Sequence, residues 1–206
     1  MGRAVIPKRL LGSVRPAWVG LGALVVPLLL VAWAWVTYPS DHTPEGAYLR
    51  IMVAVNRGRP EDFFAYTETE AQHACYTIRD YRKRARDRVL AAYPEPERTR
   101  VSEAYRALAE APDGADVFGL YARERAWLDR LRRDLSRVDK VEMAGERATV
   151  QTVRGTRYPM RRRDNGIWGL TLFTAALVAE AEKVARDAAL VDKAALDYER
   201  ARSAGR

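Results

Sequence analysis

From Ala17 to Tyr38 the chain runs AWVGLGALVVPLLLVAWAWVTY, twenty-two residues without a charged side chain. Such a stretch crosses a bilayer, is cut away after export, or lies in a protein core. As an α-helix it would extend roughly 33 Å, enough for a hydrocarbon layer about 30 Å thick. Pro27 is compatible with a membrane helix, where neighbouring groups re-satisfy the backbone. Trp18 at one end and Trp33, Trp35 and Tyr38 at the other would place amphipathic rings in the two headgroup regions. A core helix fits poorly, since residues 1–16 offer nothing to complete a fold around it. The sequence therefore predicts a lipid-bilayer anchor over residues 17–38.

The flanks set the orientation. Arg3, Lys8, Arg9 and Arg15 precede any acidic residue, and Asp41 and Glu45 follow the run. The positive-inside rule predicts a cytoplasmic N-terminus in a bacterial inner membrane and a periplasmic remainder. A second reading keeps the export and loses the anchor: Ala32, Trp33 and Ala34 form a small-x-small site, so cleavage near Ala34 would release a secreted protein. The run continues through Trp35 and Val36 and exceeds the usual signal-peptide core, which favours retention. No cysteine stands at its end, which excludes a bacterial lipoprotein.

At 206 residues the chain has room for one ordinary domain beside the anchor. Its net charge of +8 suggests an anionic partner, but the N-terminal tail holds half of it. Beyond Asp41 acids and bases are interleaved, the look of a solvated helical surface, so no nucleic-acid partner is expected. Cys75 is the only cysteine, so no intramolecular disulfide forms. His73, two residues away, points to another side of a helix, and with His42 the only other histidine no metal site or catalytic thiol is expected. No cofactor motif is present.

Residues 39–46 look like a polar linker ending in a helix start, with Thr43 to cap, Pro44 at the first position and Glu45 at the positive end of the dipole. The helix would bury Tyr48, Ile51, Met52 and Val55 and stop at Asn56–Gly58. Pro60 opens a second helix carrying Phe63 and Phe64. Thr67 with Glu70 has the spacing of a capping box. From Ala71, Ala74, Cys75, Ile78, Tyr81, Ala85 and Val89 mark an amphipathic helix closed by Pro94 and Pro96. Its other side, RDYRKRARDR over Arg79–Arg88, reads either as an anion or lipid-headgroup surface or as an ordinary solvated face. Further helices are expected over residues 97–110 and 116–136.

At Val138 the period changes from helical to alternating, with breaks at residues 144–146, 154–156 and 164–166, which predicts four short antiparallel strands. Asn165-Gly166 is a strong hairpin signal, expected as a type I′ turn. It explains the arginine-rich stretch RRRDNGIWG, Arg161–Gly169, as a hairpin tip rather than a nucleic-acid grip. Trp168, Leu170 and Leu172 should share one face of the last strand, with Tyr158, Met160 and Arg162 on the preceding one.

Helices followed by a meander in which Gly145, Ala148, Val150, Gly155, Tyr158, Met160, Gly166, Trp168 and Leu170 fall at fixed points resemble the cystatin-like fold of the nuclear transport factor 2-like superfamily. The resemblance covers about thirty residues and implies a cone-like α+β domain, of the kind found behind membrane helices in bacterial proteins of unknown role and in envelope assemblies. The expected architecture is thus a transmembrane helix, then an α+β domain over residues 47–173 with several helices packed on a four-stranded antiparallel meander, then a long C-terminal helix over 174–206. Enzymes of the superfamily use titratable groups facing a pocket between helices and sheet. No catalytic motif carries over, and His73, Tyr76, Asp80 and Tyr81 are the groups that could face such a pocket.

In the C-terminal segment Leu177, Ala181, Val184, Ala188, Val191, Ala195 and Tyr198 recur in steps of four and three, an a/d seam over about three heptads. It can pack on the protein's own helices, self-associate, or dock a protein partner. Two functions follow from different classes: a membrane-anchored binding or assembly module without chemistry of its own, or a pocket that binds a small ligand or performs acid/base chemistry on it.

Overall fold

Residues 39–204 are described by a computed structural model. The basic tail and the apolar run, with Trp18, Pro27, Trp33, Trp35 and Tyr38, lie outside the described residues. Among the described residues no helix is long and apolar enough to cross a membrane.

Helix α1 (Pro44–Asn56) starts as its sequence requires: the Thr43 hydroxyl accepts a hydrogen bond from Gly46 N, and Pro44 occupies the first turn. Pro39–Thr43, expected as a linker, instead belongs to the folded unit, which begins at Pro39. Arg50 donates to the Pro39 carbonyl at 2.9 Å, and Trp168 holds the strap from the far side, its Nε1 donating to His42 O at 3.1 Å. The strap crosses Gly46 so closely that a Cβ there would lie 2.0 Å from Ser40 O, so only glycine fits.

The short α2 (Pro60–Phe63) continues into a 3₁₀ turn, Phe64–Tyr66, and then α3 (Thr69–Ala92). The capping box expected at Thr67 does not form. Thr67 is buried and its hydroxyl donates to Phe64 O, so Glu68 becomes the N-cap without a side-chain cap bond. Tertiary contact claims Thr67 first: its backbone bridges Leu170, and Glu68 N donates to Leu170 O. Helix α4 (Glu97–Ala109) returns along α3.

One helix expected over residues 116–136 is two, α5 (Gly114–Glu124) and α6 (Trp127–Asp134). Ala126 separates them at φ 52, a conformation that costs a non-glycine residue roughly 1–2 kcal/mol. The break turns Trp127 inward to stack on Phe173 at 4.4 Å, and lets Arg125 pair with Glu180 at 2.7 Å. Burying an indole against a ring outweighs the local cost.

The four strands, β1 (Val138–Ala144), β2 (Arg147–Thr152), β3 (Arg157–Arg162) and β4 (Trp168–Leu170), form an antiparallel meander in the order β1-β2-β3-β4. Its turns fall at the expected glycines: Gly145, Gly155 and Gly166 all have positive φ. The last hairpin is not the two-residue type I′ turn. Gly166 N donates to Arg163 O and Arg163 N to Ile167 O, and Asn165 stays at negative φ, the pattern of a three-residue loop with a G1 bulge. Ala148, Val150, Tyr158, Met160, Trp168 and Leu170 are buried on the face toward α1, while the opposite face is open to solvent except at Gly169, which the Thr67–Glu68 backbone covers. Leu172, expected on that buried face, is 46% exposed, because the strand ends at Leu170 before its turn.

Helix α7 (Thr174–Ala204) runs parallel to α3, and the pair forms the largest interhelical contact. At its root the buried Glu68 accepts from the Thr174 hydroxyl at 2.8 Å and from Arg161 at 3.2 Å, tying α3, α7 and β3 together. The molecule therefore has a body and an arm. The body core unites α1, α2, α5, α6, the sheet and the first halves of α3 and α7, around an aromatic group in which Phe63 meets Phe118 edge-on at 5.0 Å. The arm, formed by the second halves of α3 and α7 with α4, has a small separate core of Ala85, Val89, Ala188 and Val191.

Candidate functional site

The four side chains proposed to face an interior pocket do not meet. His73 and Asp80 are exposed, Asp80 beside Arg79 at 3.0 Å. Tyr76 is 41% exposed and packs edge-on against Phe64, while half-buried Tyr81 lies under the Arg84 guanidinium at 4.5 Å. The space between helices and sheet where such a pocket would lie is filled by Tyr48, Ile51, Val150 and Tyr158.

Two buried phenols do come together there, with Tyr48 and Tyr158 ring centroids 5.2 Å apart. Tyr48 OH donates to Ser136 O at 2.7 Å and accepts from Ser136 N. The Tyr158 hydroxyl and Ser136 Oγ are buried without a protein partner. Burial pushes the pKa of both tyrosines up, so both remain neutral and neither serves as a base near neutral pH. Burial likewise raises the Cys75 thiol to about 12, which removes the thiolate that nucleophilic or metal chemistry needs. Among the described residues no three His, Cys, Asp or Glu side chains gather into a metal site.

The seam on α7 is used within the chain. Leu177, Ala181, Val184, Ala188, Val191 and Ala195 are buried, the first three in the body core, and Tyr198 packs edge-on against Tyr93 at 5.0 Å. The alanines allow the close approach of α3, so the seam has a packing role within the chain.

Most of the basic side of α3 is likewise engaged. Arg82 pairs with Asp187 at 3.1 Å, Arg86 with Glu110 at 2.9 Å, and Arg88 with Glu199 at 2.6 Å. Arg82 is 9% exposed, and its guanidinium lies 4.5 Å over the Tyr105 ring. The hairpin arginines follow the same pattern. Arg161 reaches Glu68, Arg162 lies 3.9 Å from Glu146, and Arg163 donates to Ala65 O at 2.6 Å and to Gln72 at 2.9 Å. They line an open cleft of about 550 Å³ beside the start of α3, together with Glu70, Glu146 and Asp164. Acids balance bases there, so the cleft has no strong preference for either sign of ligand.

One basic group escapes this pairing, and the sequence reading passed over it. RLRRDLSR, Arg130–Arg137, spans the end of α6 and the approach to β1. Val153 N donates to Arg137 O, and Arg154 donates to Arg133 O, which brings the β2–β3 turn against this segment. Arg132 donates to Val55 O at 3.1 Å, placing the group at the C-terminal end of α1, next to Arg57. Arg57, Arg130, Arg133, Arg137 and Arg154 are all exposed, and among the described residues no ion pair joins any of them to a carboxylate within 4.0 Å. The signal was legible as four arginines in eight residues against the single Asp134. Only the fold adds Arg57 and Arg154.

Comparison of the chain with protein-family models, with curated proteins and with solved structures finds no match.

Proposed function

We propose that the chain is a bacterial single-pass inner-membrane protein, with a cytoplasmic N-terminus and a periplasmic domain that acts as a non-catalytic binding or assembly module. The domain is proposed as a divergent cystatin-like member of the nuclear transport factor 2-like superfamily, on the grounds that helices precede a four-stranded antiparallel meander whose inner face covers a helix.

The observation that carries the reading is continuity. The apolar run ends at Tyr38, and the fold takes hold of the chain at Pro39 through Arg50, then through Trp168 on Asp41 and His42. A cut near Ala34 would leave Trp35, Val36 and Tyr38 as an apolar remnant in front of a folded strap, whereas in a retained anchor the same residues complete the span. A role without chemistry is supported by the aromatic filling of the interior, by phenols and a thiol that burial keeps protonated, and by arginines engaged elsewhere in ion pairs.

The test is topology. With a C-terminal reporter on the full chain, protease added to spheroplasts should digest the domain, and the protein should carry its full-length mass. A protected domain would overturn the export. A mass lower by the first thirty-four or so residues would overturn the anchor in favour of a secreted form.

A further inference from the structure

We propose that the arginine cluster formed by Arg57, Arg130, Arg133, Arg137 and Arg154 docks an acidic segment of a partner protein. The proposal deepens the binding-module reading and rests on it. Charge distribution is the first argument. From residue 39 onward the chain carries a net charge of only about +4, half of the total, and most other arginines of the domain lie against carboxylates. Here Arg132 has Asp129 at 3.4 Å, while Asp134 and Asp139 are the nearby acids in the sequence and neither forms an ion pair with the five. The local excess of positive charge is left for something outside the domain.

Arg132 has an internal role, because it caps the α1 carbonyl at Val55 and complements the negative end of the helix dipole. Of the five others, Arg154 also donates inward, to the Arg133 carbonyl, while among the described residues the side chains of Arg57, Arg130, Arg133 and Arg137 make no such bond. Guanidinium groups present a planar fork that grips carboxylates in pairs, which lysines do not. The choice of a protein rather than a nucleic acid follows from the neighbours. The group contains no aromatic side chain, so it lacks the stacking platform on which successive single-stranded bases are held. Val153, beside Arg154 in the turn, is an apolar residue 51% exposed, which suits a peptide side chain. The position fits too: the cluster lies at the C-terminal end of α1, whereas the strap crosses Gly46 near its N-terminal end, about 15 Å back along the helix.

The test uses the full chain in lipid nanodiscs and a fluorescent peptide of alternating Glu and Leu, read by anisotropy. Binding should exceed that of the matching Gln/Leu peptide by at least tenfold at low salt and should weaken with added salt. Arg133→Glu combined with Arg137→Glu should abolish it, and Arg133→Gln with Arg137→Gln should weaken it, both with unchanged near-ultraviolet circular dichroism. Arg147→Glu, an exposed arginine on the solvent face of β2, should leave it intact. Equal binding of the two peptides, or equal loss with Arg147→Glu, would overturn the proposal. Tighter binding of single-stranded DNA than of the peptide would overturn it in favour of a nucleic-acid surface. The readout does not depend on export: peptide binding by a protein whose domain is cytoplasmic would remove the address and keep the surface, and the reverse result would do the opposite.

Discussion

The body and the arm are built from the same two long helices and held by different forces. In the body, the first halves of α3 and α7 share one core with aromatic and branched side chains of α1, α2, α5, α6 and the sheet, and Phe118 alone contacts Phe63, Phe64, Trp127 and Phe173. In the arm, the same helices meet through alanines and valines, with the buried Arg82 paired to Asp187 and the more exposed Arg88–Glu199 pair along the rim. Apolar burial scales with area, whereas exposed ion pairs are worth little and are screened by salt. The difference teaches that the length of a helix says nothing of how evenly it is held: stability is concentrated where side chains are large, and the far end opens first.

Mutation is the sharpest way to break this comparison. Phe118→Ala should destabilise the whole fold by about 3–5 kcal/mol, because it removes a buried ring and leaves a cavity among four others; chemical denaturation would measure it, and a loss under 1 kcal/mol would deny the aromatic group its central role. Next in size is the effect of alkali. Cys75 in the body has a folded-state pKa near 12 against an ordinary 9.0. The protonated form is thus favoured in the native state, so its contribution is complete below about pH 9 and is lost as the pH rises toward 12. Tyr48, Tyr121 and Tyr158 are raised by burial with the same sign. The melting temperature should fall across this window, and Cys75→Ala should flatten its first part even as it lowers the neutral-pH stability.

In the arm the expected effects shrink. Val191→Ala should cost about 1–2 kcal/mol, and hydrogen exchange should show it confined to the second halves of α3 and α7, with the body amides unaffected; a uniform change would mean that body and arm unfold as one. The smallest effect is that of salt. Raising ionic strength should speed exchange in the arm, where Arg88, Asp192 and Glu199 hold exposed partners, and leave the body unchanged.

What the sequence disclosed divides along the same line between local and distant causes. Thr43 and Pro44 open their helix through a bond to a residue three positions on and a preset backbone angle, and the glycines at 145, 155 and 166 mark turns because their backbone angles demand it, so these elements fell where expected. Thr67 lost its cap to a strand more than a hundred residues away in sequence, and Ala126 broke a helix so that Trp127 could reach Phe173. Nothing within a few residues of either position announces the outcome. The seam of α7 was visible as periodicity, but which helix it meets depends on α3 lying alongside, and periodicity carries no address. The arginine cluster was half visible: Arg130–Arg137 is a run in the sequence, whereas Arg57 and Arg154 join it only through the packing of α1 and the β2–β3 turn.

The strap over Gly46 has a mechanical consequence. A tether of free residues acts as a swivel and passes no torque to what it holds. Here a pull on Pro39 is divided at once, part going through Arg50 to α1, and part through the Asp41 and His42 carbonyls to Trp168 and the edge of the sheet. The attachment is a clamp, and the first bonds to yield under load would be those that join the strap to Arg50 and to β4 rather than any within the aromatic core.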